Sequence, residues 1–325
     1  SDDKETGYRD GVMHFKSLGQ ISLPEYPELQ LNFPPILNIL DYVEREGFNR
    51  IHVSTPGTIG SLGLAIGKLF RLPVDGTYHT DIPHYVRDLT DDDFLEKAAW
   101  NFMIWFYGQM NEVMVPSAST RDQLIAHGLD SEKTRPRPRW VDCEHFHPEL
   151  RNRNILAEIG LSPDVFTFIY VGRVSREKNL ALLVDAFTRV GNDRKAQLVV
   201  VGDGPYRQEM EQKLSGLTVA FTGFKDLDEL PDFYAACDMF LFPSTTDTFG
   251  NVVLEAQSSG LPVIVTDQGG PQELMIDGET GHVIPGDDPE ALTASMLSAL
   301  NDQGKIRNMG WDCLLYTSPS PRDHG

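Results

Sequence analysis

Phe166–Val171 reads Phe-Thr-Phe-Ile-Tyr-Val and runs straight into Gly172-Arg173-Val174-Ser175-Arg176-Glu177-Lys178-Asn179, after which Leu180–Val190 carries apolar residues at helical spacing. An unbroken apolar, aromatic and β-branched run predicts a strand buried on both faces. Strand, glycine, basic loop and helix together form the unit from which a parallel sheet is wound, with the loop at the carboxyl end of the strand, where ligands bind. Further strands are expected at Gln197–Val201 and Met239–Pro243. The first half alternates in the same way. It predicts helices at Ile36–Glu46, Ile59–Phe70, Phe94–Met110 and Ser119–His127, and strands at Arg50–Ser54, Val74–His79 and Glu112–Pro116. Such alternation requires parallel sheets, so the fold class is α/β, with two doubly wound, Rossmann-like domains facing each other across a cleft.

The loop chemistry narrows the function. Arg173 and Lys178 together suit a diphosphate, although each taken singly is as readily a solvated surface charge. Residues Asp247 to Glu255 read Asp-Thr-Phe-Gly-Asn-Val-Val-Leu-Glu and follow an apolar strand. A helix starting near Phe249 points the N–H groups of Gly250, Asn251 and Val252 forward and favours an anion there. Carboxylates beside an anion site bind that anion poorly, but they accept hydrogen bonds from sugar and ribose hydroxyls. Asp247 and Glu255 beside a cationic loop therefore predict a nucleotide-sugar pocket. Gly202-Asp203-Gly204 lacks the third glycine of a dinucleotide fingerprint, Arg207 standing in its place, and reads as a tight turn that brings backbone close to a nucleotide. His79, in Tyr78-His79-Thr80-Asp81-Ile82-Pro83, either bonds a sugar or acceptor hydroxyl or caps its own loop.

Composition excludes several classes. A net charge of −20 disfavours nucleic acid and anionic membrane surfaces. Cys143, Cys237 and Cys313 are scattered, which fits a reducing compartment better than a disulfide framework or zinc site. His145 and His147 lack a third nearby ligand, so no metal is expected. Asp91-Asp92-Asp93 reads as a helix cap. The apolar stretch Ala98–Tyr107 is about half the roughly 20 residues that span a bilayer, and reads as a buried helix. An interfacial helix is the alternative, one without a basic face.

Five blocks then occur in order: Gly172-Arg173…Lys178-Asn179, Val201-Gly202-Asp203-Gly204-Pro205, Phe221-Thr222-Gly223-Phe224, Asp247…Phe249-Gly250…Glu255-Ala256, and Gly260-Leu261-Pro262-Val263-Ile264 with Gly269-Gly270-Pro271-Gln272-Glu273. In this the chain resembles the retaining family-4 glycosyltransferases of the GT-B fold, whose donor half carries these motifs. The family usually has Glu where Asp247 stands. The resemblance implies a hexosyltransferase that moves a hexose from GDP-mannose or a UDP-hexose to a lipid or glycan hydroxyl with retention, by same-face attack. It implies catalytic roles for His79, Arg173, Lys178, Asp247 and Glu255. Donor contacts are implied at Gly172, Gly202, Gly204, Gly223, Phe224, Phe249, Gly250, Asn251 and Val252, with Phe224 near the base. No cofactor or metal is implied, because the cationic loop and helix start take the diphosphate charge.

The expected organisation is an acceptor-side domain over residues 1–150 and a donor domain over 151–311, linked by the Arg/Pro-rich Thr134–Trp140 and the segment Val141–Pro148. The amino-terminal stretch is turn-rich without the family's opening strand, which reads as an incomplete first domain. Residues 312–325 have neither helical nor strand period and read as foreign sequence after a broken reading frame. Cytoplasmic localisation is expected, with peripheral contact at the inner membrane face allowed. A binding-only fragment and a phosphorylase- or epimerase-like relative remain open.

Overall fold

The computed structural model describes residues 6–9, 11–23, 26–137, 140–191 and 196–317. The chain divides into two compact units, 1–137 and 138–325.

In the second unit six parallel strands form one sheet. Their spatial order is Val219–Gly223, Ala196–Val201, Phe166–Val171, Met239–Phe242, Val263–Thr266, Gly281–Ile284. Numbered by appearance within the unit, that order is 3-2-1-4-5-6, the doubly wound arrangement whose direction of winding reverses between strands 1 and 4. Every residue of Phe166–Val171 and Ala196–Val201 is buried, as a sheet covered on both faces demands. Helices Leu180–Gly191 and Pro289–Asn301 pack together, and Leu183, Phe187 and Met296 are fully enclosed.

Residues 140–153 are built into this unit. Phe146 joins its core, and its carbonyl accepts from Ser258 Oγ at 2.6 Å. Asp238 accepts from Arg153 at 2.7 and 2.9 Å, from Arg151 at 2.7 Å and from the Thr167 N–H at 2.8 Å. The start of strand 4 is thereby pinned to the start of strand 1.

In the first unit Ile51–Val53, Val74–Thr77, Glu112–Val115 and Thr134–Pro136 pair in chain order, all parallel. A separate core gathers Val53, Leu64, Val74, Tyr78, Met103, Phe106, Tyr107 and Val113. Asp92 caps the helix Asp93–Gly108 by accepting from the N–H groups of Phe94 and Leu95, as the acidic run predicts.

The structure departs from the sequence expectations in several elements. The helix Asp93–Gly108 is buried on one face only: Trp100, Met103, Phe106 and Tyr107 are enclosed, while Phe102 and Trp105 stand largely exposed. The turn-rich amino-terminal stretch contains two antiparallel strand pairs, Gly7–Arg9 with Val12–His14 and Gly19–Leu23 with Tyr26–Phe33. The stretch after Trp311 stays helical through Thr317 within Gln303–Thr317, and this helix packs with the buried Cys313 thiol against the carbonyls of Leu261 and Thr280 at 3.5 and 3.3 Å. Residues 318–325 of the expected tail lie outside the described residues, as do 138–139 of the expected link.

Candidate active site

The loops after strands 1 and 4 of the second unit meet at the reversal point of the sheet. The loop after strand 1 starts at Gly172, whose N–H donates to Val201 O at 3.0 Å, and Val174 N–H donates to Asp203 O at 3.0 Å. A side chain at Gly202 would sit 1.9 Å from Gly172 O, and one at Gly204 2.4 Å from Val174 O. The space that these glycines leave is thus occupied by a neighbouring loop's backbone, where the sequence reading had placed a nucleotide. Gly223 belongs to the same stitching, since its carbonyl accepts from Gly202 N–H at 2.8 Å.

Beyond Val174 the chain makes the single turn Arg176–Lys178 and reverses at Asn179, which is left-handed at φ 54°. Lys178 Nζ lies 2.9 Å from both carboxylate oxygens of Asp247. Both side chains are mostly covered, at 14% and 21% exposure, so solvent screens the pair only in part. Thr246 Oγ1 donates to Glu177 O at 3.1 Å, and Asn179 Nδ2 donates to Pro243 O and Gly286 O. Arg173 is 3.9 Å from Glu177, a buried carboxylate that also accepts from Ser175 Oγ at 2.5 Å. Each of the two cations predicted for a diphosphate therefore already faces a carboxylate.

The helix opens at Asn251 and ends at Ser258, two residues later than expected, because Gly250 takes a left-handed cap at φ 87°. The N–H groups of Asn251 and Val252 lie in its first turn. Gly269 and Gly270 press against this segment: a side chain on either would come within 2.4 Å of Asp247 O or 2.2 Å of Thr248 O, and Gly270 N–H donates to Asp247 O at 3.0 Å. Phe249 is a core residue at 5% exposure, so its ring is packing material; Phe224 is 76% exposed.

Glu255 lies further into the helix and accepts from the Tyr234 hydroxyl at 3.0 Å. Burial pushes its carboxyl above the ordinary range, opposed by that hydrogen bond and by the nearby His145. His145 Nε2 itself lies 3.0 Å from Leu227 O. Among the described residues no cluster of three His, Cys, Asp or Glu has metal-holding geometry.

In the first unit, His79 is half-buried in the loop that follows Val74–Thr77. The residue beside it that sequence reasoning missed is Asp81, buried at 5% exposure and serving as a hub. It accepts from Tyr78 Oη at 3.3 Å and Gln123 Nε2 at 3.2 Å, lies 2.7 Å from His84 Nδ1, and caps the helix Ile82–Thr90. Asp before an Ile-Pro helix start is an N-cap signal that could have revealed the cap, though not the hub. Glu177 and Tyr234 were also missed, and Asn179 stands in the Lys178-Asn179 block without an assigned role, the tolerance of Asn for left-handed backbone being its one structural hint.

A 3-2-1-4-5-6 sheet with a cation–carboxylate pair at its reversal point defines the second unit as a Rossmann-like domain. Residues 1–145 match the family model "Glycosyltransferase Family 4", and residues 165–302 match "Glycosyl transferases group 1". The chain belongs to these glycosyltransferases. It is 32% identical over 285 residues to the sulfoquinovosyl transferase of Arabidopsis thaliana, covering 86% of this chain and 55% of that one. It is also 32% identical over 236 residues to a GDP-mannose-dependent alpha-mannosyltransferase of Mycobacterium tuberculosis, covering 72% and 60%. The chain thus spans a little over half the length of these curated relatives. Among solved structures, sucrose-phosphate synthase from Thermosynechococcus elongatus superposes with a TM-score of 0.73 at 24% identity, covering 87% of this chain and 72% of that one. An Anabaena protein solved with UDP-glucose gives 0.72 at 20% identity, covering 88% and 78%. These likenesses show the GT-B fold. No helix among the described residues is long and apolar enough to cross a membrane.

Proposed function

We propose that the protein is a retaining glycosyltransferase that moves a hexose from a nucleotide-diphosphate sugar to a lipid or glycan hydroxyl. The observation that carries this reading is the Lys178–Asp247 pair at the sheet's reversal point, four residues ahead of the helix start at Asn251. Cleavage of the bond from anomeric carbon to diphosphate oxygen leaves the electron pair on the diphosphate. Lys178, Arg173 and the N–H groups of Asn251 and Val252 take up that charge, a role that needs no metal in this reading. An ammonium has three donors, which allows Lys178 to hold Asp247 and a phosphate oxygen together. The acceptor oxygen bonds the anomeric carbon on the same face, and its proton passes to the departing diphosphate. Asp247 holds sugar hydroxyls, Glu255 holds the ribose, and His79 serves the acceptor side.

GDP-mannose, named by one relative, and UDP-glucose, bound by one structural neighbour, are the donors to be tried, and peripheral membrane contact would accompany a lipid acceptor. Because the chain spans only part of its relatives' length, a second reading is that it binds the donor without transferring from it. Incubation with radiolabelled GDP-mannose and UDP-glucose plus diacylglycerol or mannoside acceptors, with donor binding measured on the same sample, separates the two. Transfer with an α-linked product supports the first reading; binding alone supports the second. Absence of both sinks the proposal.

A further inference from the structure

We infer that Asn179 is the positioning residue that presents Lys178 to the donor diphosphate, an inference that rests on the functional reading above. Two separate demands meet at this residue. Its backbone is left-handed at φ 54°, where most side chains are strained and Asn and Gly are tolerated. That reversal ends the turn Arg176–Lys178, with Asn179 N–H donating to Arg176 O at 2.9 Å, and starts the helix that opens at Leu180.

Its amide then ties the loop to two others. Nδ2 donates to Pro243 O at 3.1 Å, at the end of strand 4, and to Gly286 O at 2.8 Å, just past strand 6. A side-chain amide has two N–H donors, and each meets its own carbonyl. One side chain thereby joins the loops that follow strands 1, 4 and 6. Gly would allow the backbone but make neither bond. Asp would allow the backbone and turn a carboxylate toward two carbonyl oxygens.

The functional consequence follows from adjacency. Lys178 precedes the clamp, and Asp247 lies in the loop that begins at Pro243, which the clamp holds. Holding the Lys178 backbone against that loop fixes where the ammonium can reach. A flexible four-carbon side chain acts as an aimed charge only when its root is fixed. The Thr246 bond to Glu177 O supports the same join from the other side.

The test is a double-mutant cycle on the full chain. Asn179→Gly and Asn179→Asp are each made in the wild-type and Lys178→Ala backgrounds. UDP and GDP affinity is measured by calorimetry, transfer or hydrolysis from UDP-glucose and GDP-mannose is measured as kcat and KM, and Tm is recorded. With Lys178 present, Asn179→Gly is expected to lower kcat at least tenfold and to weaken diphosphate binding. In the Lys178→Ala background it should change either by less than twofold. Equal losses in both backgrounds, or no loss with Lys178 present, overturn the inference. If Asn179→Gly does not fold, Asn179→Asp decides by the same comparison. A wild-type chain that binds neither UDP nor GDP overturns the functional reading itself, and the inference with it.

Discussion

Lys178 and Asp247, 69 residues apart in the chain, meet with the ammonium 2.9 Å from both carboxylate oxygens. The contact joins the loops after the first and fourth strands of the second unit's sheet, on either side of its reversal of winding. Lys178 is therefore held against the loop after the fourth strand, and its charge is partly balanced.

Asp247→Asn separates the two halves of the donor. Without the carboxylate, Lys178 and Arg173 present more net positive charge, while a ligand for sugar hydroxyls is weakened. Binding of UDP or GDP alone should hold or tighten, and turnover of the nucleotide sugar should fall about 10–100-fold, as for loss of one or two kcal/mol-scale contacts. Parallel titrations of diphosphate and rate measurements check this. Weaker diphosphate binding with unchanged turnover would contradict it.

Glu255→Gln should trade affinity for stability. Burial raises the carboxyl of Glu255, so its contribution is intact below the ordinary carboxylate range and is lost as pH rises through the raised value. Glutamine removes the titration and still accepts from Tyr234. The variant should melt higher than wild type at pH 7.5, with the difference vanishing toward about pH 4, and should bind donor more weakly. A melting difference that is flat across this range would contradict the burial argument.

Gly202→Ala should cost about 2 kcal/mol or more, from overpacking and backbone strain together. The added carbon lands 1.9 Å from a backbone carbonyl, at φ 129°, where no flexible side chain can yield. Chemical denaturation reads the loss directly. A midpoint equal to wild type would mean that the two loops are not in contact.

Thiol labelling tests the packing of the carboxy-terminal helix. Cys237 and Cys313 are fully buried, with thiols pushed up by desolvation, whereas Cys143 is partly exposed. One thiol should react in the native protein and three in guanidinium. Rapid labelling of Cys313 in the native state would show that Gln303–Thr317 is not docked.

The parallel α/β architecture was legible because a strand buried on both faces is an unbroken apolar run, as at Phe166–Val171, and its loop follows at once. The site was legible as a set of charges: Arg173, Lys178, Asp247 and Glu255 stood out by type and by position after strands. Their pairings were not. That Lys178 contacts Asp247, or Tyr234 contacts Glu255, depends on which strands become neighbours, and no local pattern records the 3-2-1-4-5-6 order. Gly202 and Gly204 suggest openings for a ligand in the sequence because a glycine shows that something comes close without showing what. Cys313 misled for a related reason: the carbonyls that hold it belong to Leu261 and Thr280, far upstream, while its immediate neighbours show no period.

Lys178, held by Asp247, is expected to meet a nucleotide diphosphate. Titration calorimetry of UDP-glucose and GDP-mannose into the wild-type chain and into Lys178→Ala decides the point. At least one donor is expected to bind the wild type, and Lys178→Ala to weaken it by about 100-fold, equivalent to roughly 3 kcal/mol, in a variant that remains folded. Equal affinity in the two proteins would contradict it.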